Sequence, residues 1–282
     1  GHRNDLNTNE LILKHSLTKS AFFLILFLMK YGISELSIVP IRAEASDKAE
    51  MVNQVLFGEH FKILESRAKW SKIRLAHDKY EGWVCNKQWS EIDKSTFEEL
   101  ERNDPTLTNE LLDVIKNETH QTIPLGCTLP FFKDNTFQIN ENKYSFKGEI
   151  TKGKKDKSNI LENVMLYLNT PYLWGGRTPF GIDCSGFTQM IYRLNGKEIP
   201  RDACQQSEIG TTLSFIEESK AGDLAFFDNN EGKIIHVGII LENNFIIHAC
   251  GKVRIDRLDQ QGIFNSKKRK HTHKLRLIKS IF

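Results

Sequence analysis

The stretch from residue 181 to 196, GIDCSGFTQMIYRLNG, constrains this chain more than any other. Phe187, Met190, Ile191 and Leu194 recur at helical spacing, and Asn195-Gly196 reads as a C-terminal stop. Asp183 then takes the N-cap, so Cys184 falls in the first turn and, counted back from Phe187, near the buried face. A thiol in that place meets the positive end of the helix dipole, which favours thiolate. A lone cysteine is otherwise an ordinary small core residue. The rest of the chain must therefore supply a base before a nucleophile can be read here.

At 282 residues the chain has room for two or three domains. A formal net charge of +3 calls for neither nucleic acid nor a strongly acidic partner, and 39% hydrophobic with 27% charged residues suits a soluble globular protein. The cysteines at 85, 127, 184, 204 and 250 are scattered, odd in number and form no CxxC pair. That argues against a disulfide framework or a zinc site and favours a reducing compartment. No metal site and no cofactor is expected.

Residues 1–30 read as a leader, an extension or a signal-like segment. The apolar run from Ala21 to Met29 is too short to span a bilayer comfortably, and no stable membrane span is expected. With Lys14 and Lys19 before it and Gly32-Ile33-Ser34 after it, the region 14–34 resembles a signal peptide, which would send the protein to the cell envelope. Lys30 interrupts that pattern. The favoured reading takes Met29 as the natural start, which leaves a cytoplasmic protein.

Between 31 and 96, SIVPIRA, NQVLFGEHFKILES, WSKIRLA and YEGWVCN are strand-like and punctuated by Gly58, Asp78 and Gly82, the pattern of a small barrel. Residues 96–118 are charged and helix-prone, with NELLDVIKN as an amphipathic turn and a half. TIPLGCTLPFF, TFQIN and KYSFKGEI then read as strands, so 97–150 is expected to form a second, degenerate barrel with a helical insertion. The charged linker TKGKKDKSN opens a third domain over 151–282, beginning with the amphipathic helix ILENVMLYLN.

Nucleophilic cysteine catalysis needs a base and a group that orients it. In GKIIHVGIILENNFIIHACG, His236 and His248 lie on consecutive strands joined by Glu242-Asn243-Asn244. If Leu241 pairs with Phe245, His248 stands opposite Gly238, and His236 lies two positions along on the same face. A two-residue loop would put the rings on opposite faces. This assigns Cys184 as nucleophile, His236 as general base and acid, and His248 as its orienter. The Tyr172 hydroxyl and the Cys184 backbone N–H are the donors for a developing oxyanion. Cys250 shares the face of His248 and reads as packing, while KKRKHTHK, with His271 and His273, reads as a basic turn before the final strand.

The order Y-x-W-G-G, D-C-S-G-F, G-D-L, H-V-G and I-H-A resembles the NlpC-type cell-wall cysteine peptidases over roughly 157–282. QVLFGE, the Trp70 strand and YEGWV resemble bacterial SH3-like domains. The resemblance implies an α+β fold, with a papain-like catalytic domain whose Cys-bearing helix packs on an antiparallel sheet, preceded by one or two small SH3-like β-barrels. It further implies the subgroup that cleaves γ-D-glutamyl-L-diamino acid bonds in murein peptides with a free N-terminal L-Ala. Cys184, His236, His248 and Tyr172 match its catalytic positions, and Trp174 a wall of its cleft. Asp183 and Ser185 match positions that hold the D-Glu portion, and Asp202 in PRDACQQ one that binds the amine. The first barrel would add Tyr80 and, for the acid, Glu50. A free ammonium calls for such carboxylates and a hydroxyl or π-face. An acyltransferase or amidase on the same scaffold, or a wall-binding protein with an inactive papain-like domain, are the competing readings.

Overall fold

The computed structural model describes residues 29–282. Strands β1 (Lys30–Ile33), β2 (Ile38–Arg42), β3 (Met51–Leu56), β4 (His60–Ser66), β5 (Trp70–Leu75), β6 (Glu81–Cys85) and β7 (Ser90–Ile92) form one antiparallel sheet in the order β3-β2-β6-β5-β4-β1-β7. The strand-like stretches read between Ser37 and Asn86 all lie in it. Of the leader expected at 1–30, residues 1–28 lie outside the described residues, and Lys30 already opens β1. Gly32 and Ile33 of the small-residue site lie in β1, hydrogen-bonded between β4 and β7, and Ser34 follows directly, so a cut there would remove an inner strand.

The helical reading of NELLDVIKN is overturned. Helix α1 (Lys94–Arg102), N-capped by Asp93, stops before Pro105. After β8 (Thr106–Thr108), residues Leu112–Lys116 form strand β9, in which Asp113 and Ile115 turn inward and Leu112, Val114 and Lys116 outward. Adjacent β-branched Val114 and Ile115 suit a strand, and β9 pairs along its whole length with β10 (His120–Pro124). Strands β11 (Thr136–Ile139) and β12 (Asn142–Ser145) complete a four-stranded sheet ordered β10-β9-β12-β11, and β13 (Ile150–Lys152) pairs with β8 separately. The helix thus precedes this second β unit and does not interrupt it.

In the third unit come α2 (Asn159–Leu166), the short pair β14 (Arg177–Thr178) and β15 (Gly181–Ile182), α3 (Cys184–Leu194) and α4 (Ala203–Gln206). Strands β16 (Thr211–Leu213), β17 (Leu224–Asp228), β18 (Ile234–Leu241), β19 (Phe245–Cys250), β20 (Lys252–Asp259), β21 (Gly262–Asn265) and β22 (Lys270–Ser280) follow. Because β22 pairs with both β17 and β21, the six strands β17–β22 close on themselves. Alternation divides their side chains. Ala225, Phe227, Ile240, Ile246, Leu258, Ile263 and Ile278, drawn from every one of the six, form one cluster. Leu224, Phe226, Val237, Ile239 and Ile247 face the other way, into a larger core with Phe187, Met190 and Ile191 of α3.

Every residue of α3 is buried. Its polar side chains accordingly find partners in all three units, with Gln189 Oε1 and Arg193 Nε left over. Gln189 Nε2 donates to Asp78 Oδ2 at 2.9 Å, Arg193 Nη2 to Thr128 Oγ1 at 3.1 Å, and Arg193 Nη1 to Glu198 Oε1 at 2.7 Å. At the centre, Arg177 donates through Nη1 and Nη2 to the two carboxylate oxygens of Glu59 at 2.8 and 2.9 Å, and to the Gln54 carbonyl at 2.9 Å. Burial favours the neutral acid, yet Arg177 and His77 hold Glu59 well below the ordinary carboxylate range. Burial likewise opposes charge on His77, but Asp78 and Glu59 outweigh it and push that ring up to about 9.

Removing one member of such a pair strands a buried charge, which costs about 3–5 kcal/mol. Glu59→Gln is therefore expected to lower stability by that amount in urea unfolding. Pairing it with Arg177→Met should restore part of the loss; an additive double variant would show that the two side chains do not depend on each other.

Candidate active site

The hairpin that carries the two histidines has the expected register. Leu241 pairs with Phe245, Ile240 with Ile246 and Ile239 with Ile247. Asn243 and Asn244 take left-handed conformations at φ of 58° and 62°, which asparagine tolerates. His236 and His248 therefore share the strand face of Ile240 and Ile246, and His236 Nε2 lies 2.8 Å from His248 Nδ1. Gly238 makes this approach possible: a Cβ there would stand 2.9 Å from the Cβ of His248 and 2.8 Å from Ile246 Cδ1.

Asp183 caps α3, accepting the Gly186 N–H at 2.7 Å, and Cys184 is the first helical residue. Backbone N–H groups of Val237, next in the chain after His236, and of Ser185 lie close enough to the sulfur to favour its ionised form against burial. The helix N-terminus thus brings the thiol against β18 beside the histidine. It does not make a thiolate. Burial, reinforced by the Asp183 charge, pushes the Cys184 thiol up to about 12. Burial, then His248 and His273, hold His236 well below the ordinary imidazole value of 6.5. Both shifts favour the uncharged forms.

Tyr172 is half-buried, and burial followed by the nearness of Cys184 raises its phenol. Asp183 is fully engaged within the protein. Besides Gly186 it accepts the Gly175 N–H at 2.8 Å and two bonds from Arg201, at 2.9 and 2.7 Å. Arg201 also donates to Ser185 Oγ at 2.9 Å and to Asn53 Oδ1 of the first barrel at 2.8 Å. The Ser185 hydroxyl keeps its own proton to donate. Gly175, at φ 77°, passes so near the barrel that a Cβ would meet the Met51 carbonyl oxygen at 2.5 Å. Trp174 is exposed, and its Nε1 donates to Glu50 Oε1 at 2.6 Å, so these two candidates meet across the domain boundary.

Tyr80 and Asp202 flank the same boundary, near enough for the carboxylate to act on the phenol. Burial and then Asp202 push the Tyr80 phenol up to about 12. Burial raises the Asp202 acid, Arg201 opposes it, and Asp183 and Asp78 raise it further. Asp78 sets this geometry: its Oδ1 accepts the Tyr80 backbone N–H at 2.9 Å, while its Oδ2 holds Gln189 of α3.

Several neighbours escape the sequence reading. Asp256 Oδ2 lies 3.0 Å from His248 Nε2, and Arg254 grips the same carboxylate at 2.7 and 2.8 Å. His273 stacks on His236 with centroids 4.3 Å apart. It was hidden in what read as a basic turn, because β22 begins at Lys270 and places alternate residues beside β17. Arg254 and Asp256 lie two apart on β20 with exposed Ile255 between them, and which partners they meet is visible only once β20 is paired with β19. Arg201, beside Asp202 in PRDACQQ, carries no motif signal of its own. Cys250, expected to pack, is exposed at the end of β19. Among the described residues no cluster of His, Cys, Asp or Glu has the geometry to hold a metal ion, and no helix is long and apolar enough to cross a membrane.

A cysteine at the head of a buried helix, facing a closed antiparallel sheet that carries the imidazoles, is the layout of papain-like thiol hydrolases. Residues 169–272 match the NlpC/P60 family, and residues 41–88 match the bacterial dipeptidyl-peptidase SH3 domain. The chain is similar to a γ-D-glutamyl-L-lysine dipeptidyl-peptidase of Bacillus subtilis strain 168, at 29% identity over 70% of this chain and 71% of that one. It is also similar to dipeptidyl-peptidase 6 of Lysinibacillus sphaericus, at 27% identity over 78% of this chain and 88% of that one. A crystal structure of an NlpC/P60 family protein from Bacillus cereus ATCC 10987 has the same fold, with a TM-score of 0.74 at 18% identity over 89% of this chain and 99% of that one. Residues 169–272 form an NlpC/P60 domain with a bacterial SH3-like domain in front, and the chain is a cysteine peptidase.

The neutral state of His236 has a measurable consequence. The unfolded chain takes up a proton near 6.5 that the folded ring refuses, so stability falls as pH drops below about 6.5 and is unaffected by this group above it. In histidine 15N NMR the His236 resonances are expected to stay at their neutral positions from pH 8 down to 5; a midpoint near 6.5 would contradict the burial argument.

Proposed function

We propose that this enzyme hydrolyses the γ-D-glutamyl-L-diamino acid bond of murein-derived peptides whose L-Ala amino group is free, releasing the N-terminal dipeptide. Cys184 is the nucleophile, His236 the base and acid, and His248 its orienter. The observation that supports the reading is an acid near a phenol at the domain boundary, Asp202 acting on Tyr80. Tyr80, Asp202 and Glu50 offer a hydroxyl and two carboxylates to an ammonium group, near a nucleophile that sits on the helix bonded to Asp78. The relatives, γ-D-glutamyl-L-lysine dipeptidyl-peptidases among them, support this reading.

The steps follow from the resting protonation. With both partners neutral, attack requires proton transfer from Sγ to His236 as the sulfur bonds to the γ-carbonyl carbon. The oxyanion so formed is met by the Tyr172 hydroxyl and the Cys184 backbone N–H. His236 returns the proton to the departing amine, leaving a thioester, which water cleaves with His236 again as base. Ser185 is placed to donate to the α-carboxylate of D-Glu. Asp183 acts through others: its four bonds fix the Gly175 turn, the helix start and Arg201. Trp174 walls the approach. No cofactor enters these steps, and the partner is the peptide, not nucleic acid.

Cys184→Ala should abolish release of L-Ala-γ-D-Glu from the tripeptide L-Ala-γ-D-Glu-L-Lys, or its diaminopimelate counterpart, while thermal unfolding stays within a few degrees of the parent. Retained turnover would end the mechanism. Acetylating the alanine amine should lower kcat/KM by about 100-fold, since a charged hydrogen-bonded group is worth roughly 1.5–3 kcal/mol. Equal rates for the two peptides would remove the ammonium site and leave the peptidase.

A further inference from the structure

We propose that Asp256 is a positioning residue of this site, fixing through His248 the tautomer that leaves His236 Nδ1 as the proton acceptor. The inference rests on the reading of Cys184 and His236 given above, and it follows from counting hydrogens along one chain of contacts.

Asp256 is buried, and Arg254 donates to both of its oxygens, Nε to Oδ2 at 2.7 Å and Nη2 to Oδ1 at 2.8 Å. Burial favours the neutral acid, but the hydrogen bonds from His248 and Arg254 keep the group below the ordinary carboxylate range. An ionised carboxylate only accepts. The 3.0 Å contact with His248 therefore needs a hydrogen on Nε2. Neutral imidazole carries a single N–H, so His248 Nδ1 presents a lone pair. The 2.8 Å contact to His236 then requires a hydrogen on His236 Nε2, and the lone pair of His236 falls on Nδ1.

That nitrogen is the one His248 does not engage. When the Cys184 proton reaches it, the new imidazolium carries its second N–H on Nε2, already donated to His248, whose own Nε2–H is donated to Asp256. No proton leaves the carboxylate, which stays ionised throughout. The opposite tautomer would put a hydrogen on His236 Nδ1, where it blocks uptake of the thiol proton. Other charged or titratable groups facing these rings are Arg254 on β20 and His273 on β22, whose centroid lies 4.3 Å from that of His236 and 5.5 Å from that of His248. Neither accepts a hydrogen from His248 Nε2. Without Asp256, the Arg254 guanidinium would be the group left beside Nε2, and it would favour the wrong tautomer.

The test uses the full chain with histidine 15N labelling at pH 7.5, together with steady-state cleavage of L-Ala-γ-D-Glu-L-Lys. Wild-type His248 should show the Nε2–H tautomer, and Asp256→Ala should shift it towards Nδ1–H. That variant should lose about 10²- to 10⁴-fold in kcat with KM changed less than threefold. Asp256→Asn, whose amide oxygen can still accept from Nε2, should recover at least tenfold of the loss. A wild-type His248 protonated on Nδ1, or on both nitrogens, overturns the proposal. So does an Asp256→Ala enzyme with unaltered kcat, or one whose defect lies in KM and melting temperature alone. Should the wild type fail to cleave the peptide, the substrate reading falls, and the imidazole spectra still decide the tautomer.

Discussion

Glu59 and Arg177, a carboxylate and a guanidinium with almost no access to water, lock the front barrel to the peptidase domain. Desolvating both charges consumes most of what their attraction returns, so the pair is a weak source of net stability. Its importance is geometric. Any other seating of the barrel would leave two buried charges facing nothing, together with His77 and Arg193, which lie 3.3 and 3.6 Å from the same carboxylate. The second β unit joins this junction through Thr128. One cluster of apolar side chains accordingly runs through all three units, from Tyr31 through Ile115 and Phe146 to Ile281.

The same principle shapes the site. Nearly every polar group around the thiol is engaged by another: Asp183 by Arg201, Arg201 by Asn53 of the barrel, His236 by His248, and His248 by Asp256. Such a shell holds first-rank groups to within the small tolerances that proton transfer needs. It also explains why a cysteine at a helix N-terminus rests as a thiol. The dipole acts on a sulfur that is almost wholly withdrawn from water, beside an anionic cap, and desolvation wins.

Much of this was legible in the amino-acid order because the signals were local. The cap-cysteine-helix run, the hairpin register and the punctuation of the first barrel each depend on neighbours within a few residues. Segments whose identity depends on distant pairing were not legible. NELLDVIKN has helical periodicity in isolation and becomes β9 because β10 lies along it. His273 sat in a run of cations that looked solvated, and only the closure of β22 on β17 brings it onto His236. Arg201, Arg254 and Asp256 carry no motif; their significance is a matter of which carboxylate or guanidinium the fold sets opposite. The Glu50–Trp174 contact, spanning 124 positions in the chain, lies equally beyond any local pattern.

The single carboxylate of Asp78 fastens both the loop bearing Tyr80 and the helix bearing Cys184. In mechanical terms the barrel is a gauge block. On the proposed reading, the interval between a bound chain end and the point of attack would be set by the spacing of the two modules, and the number of residues removed per turnover by the docking of two folds and not by the chemistry of either.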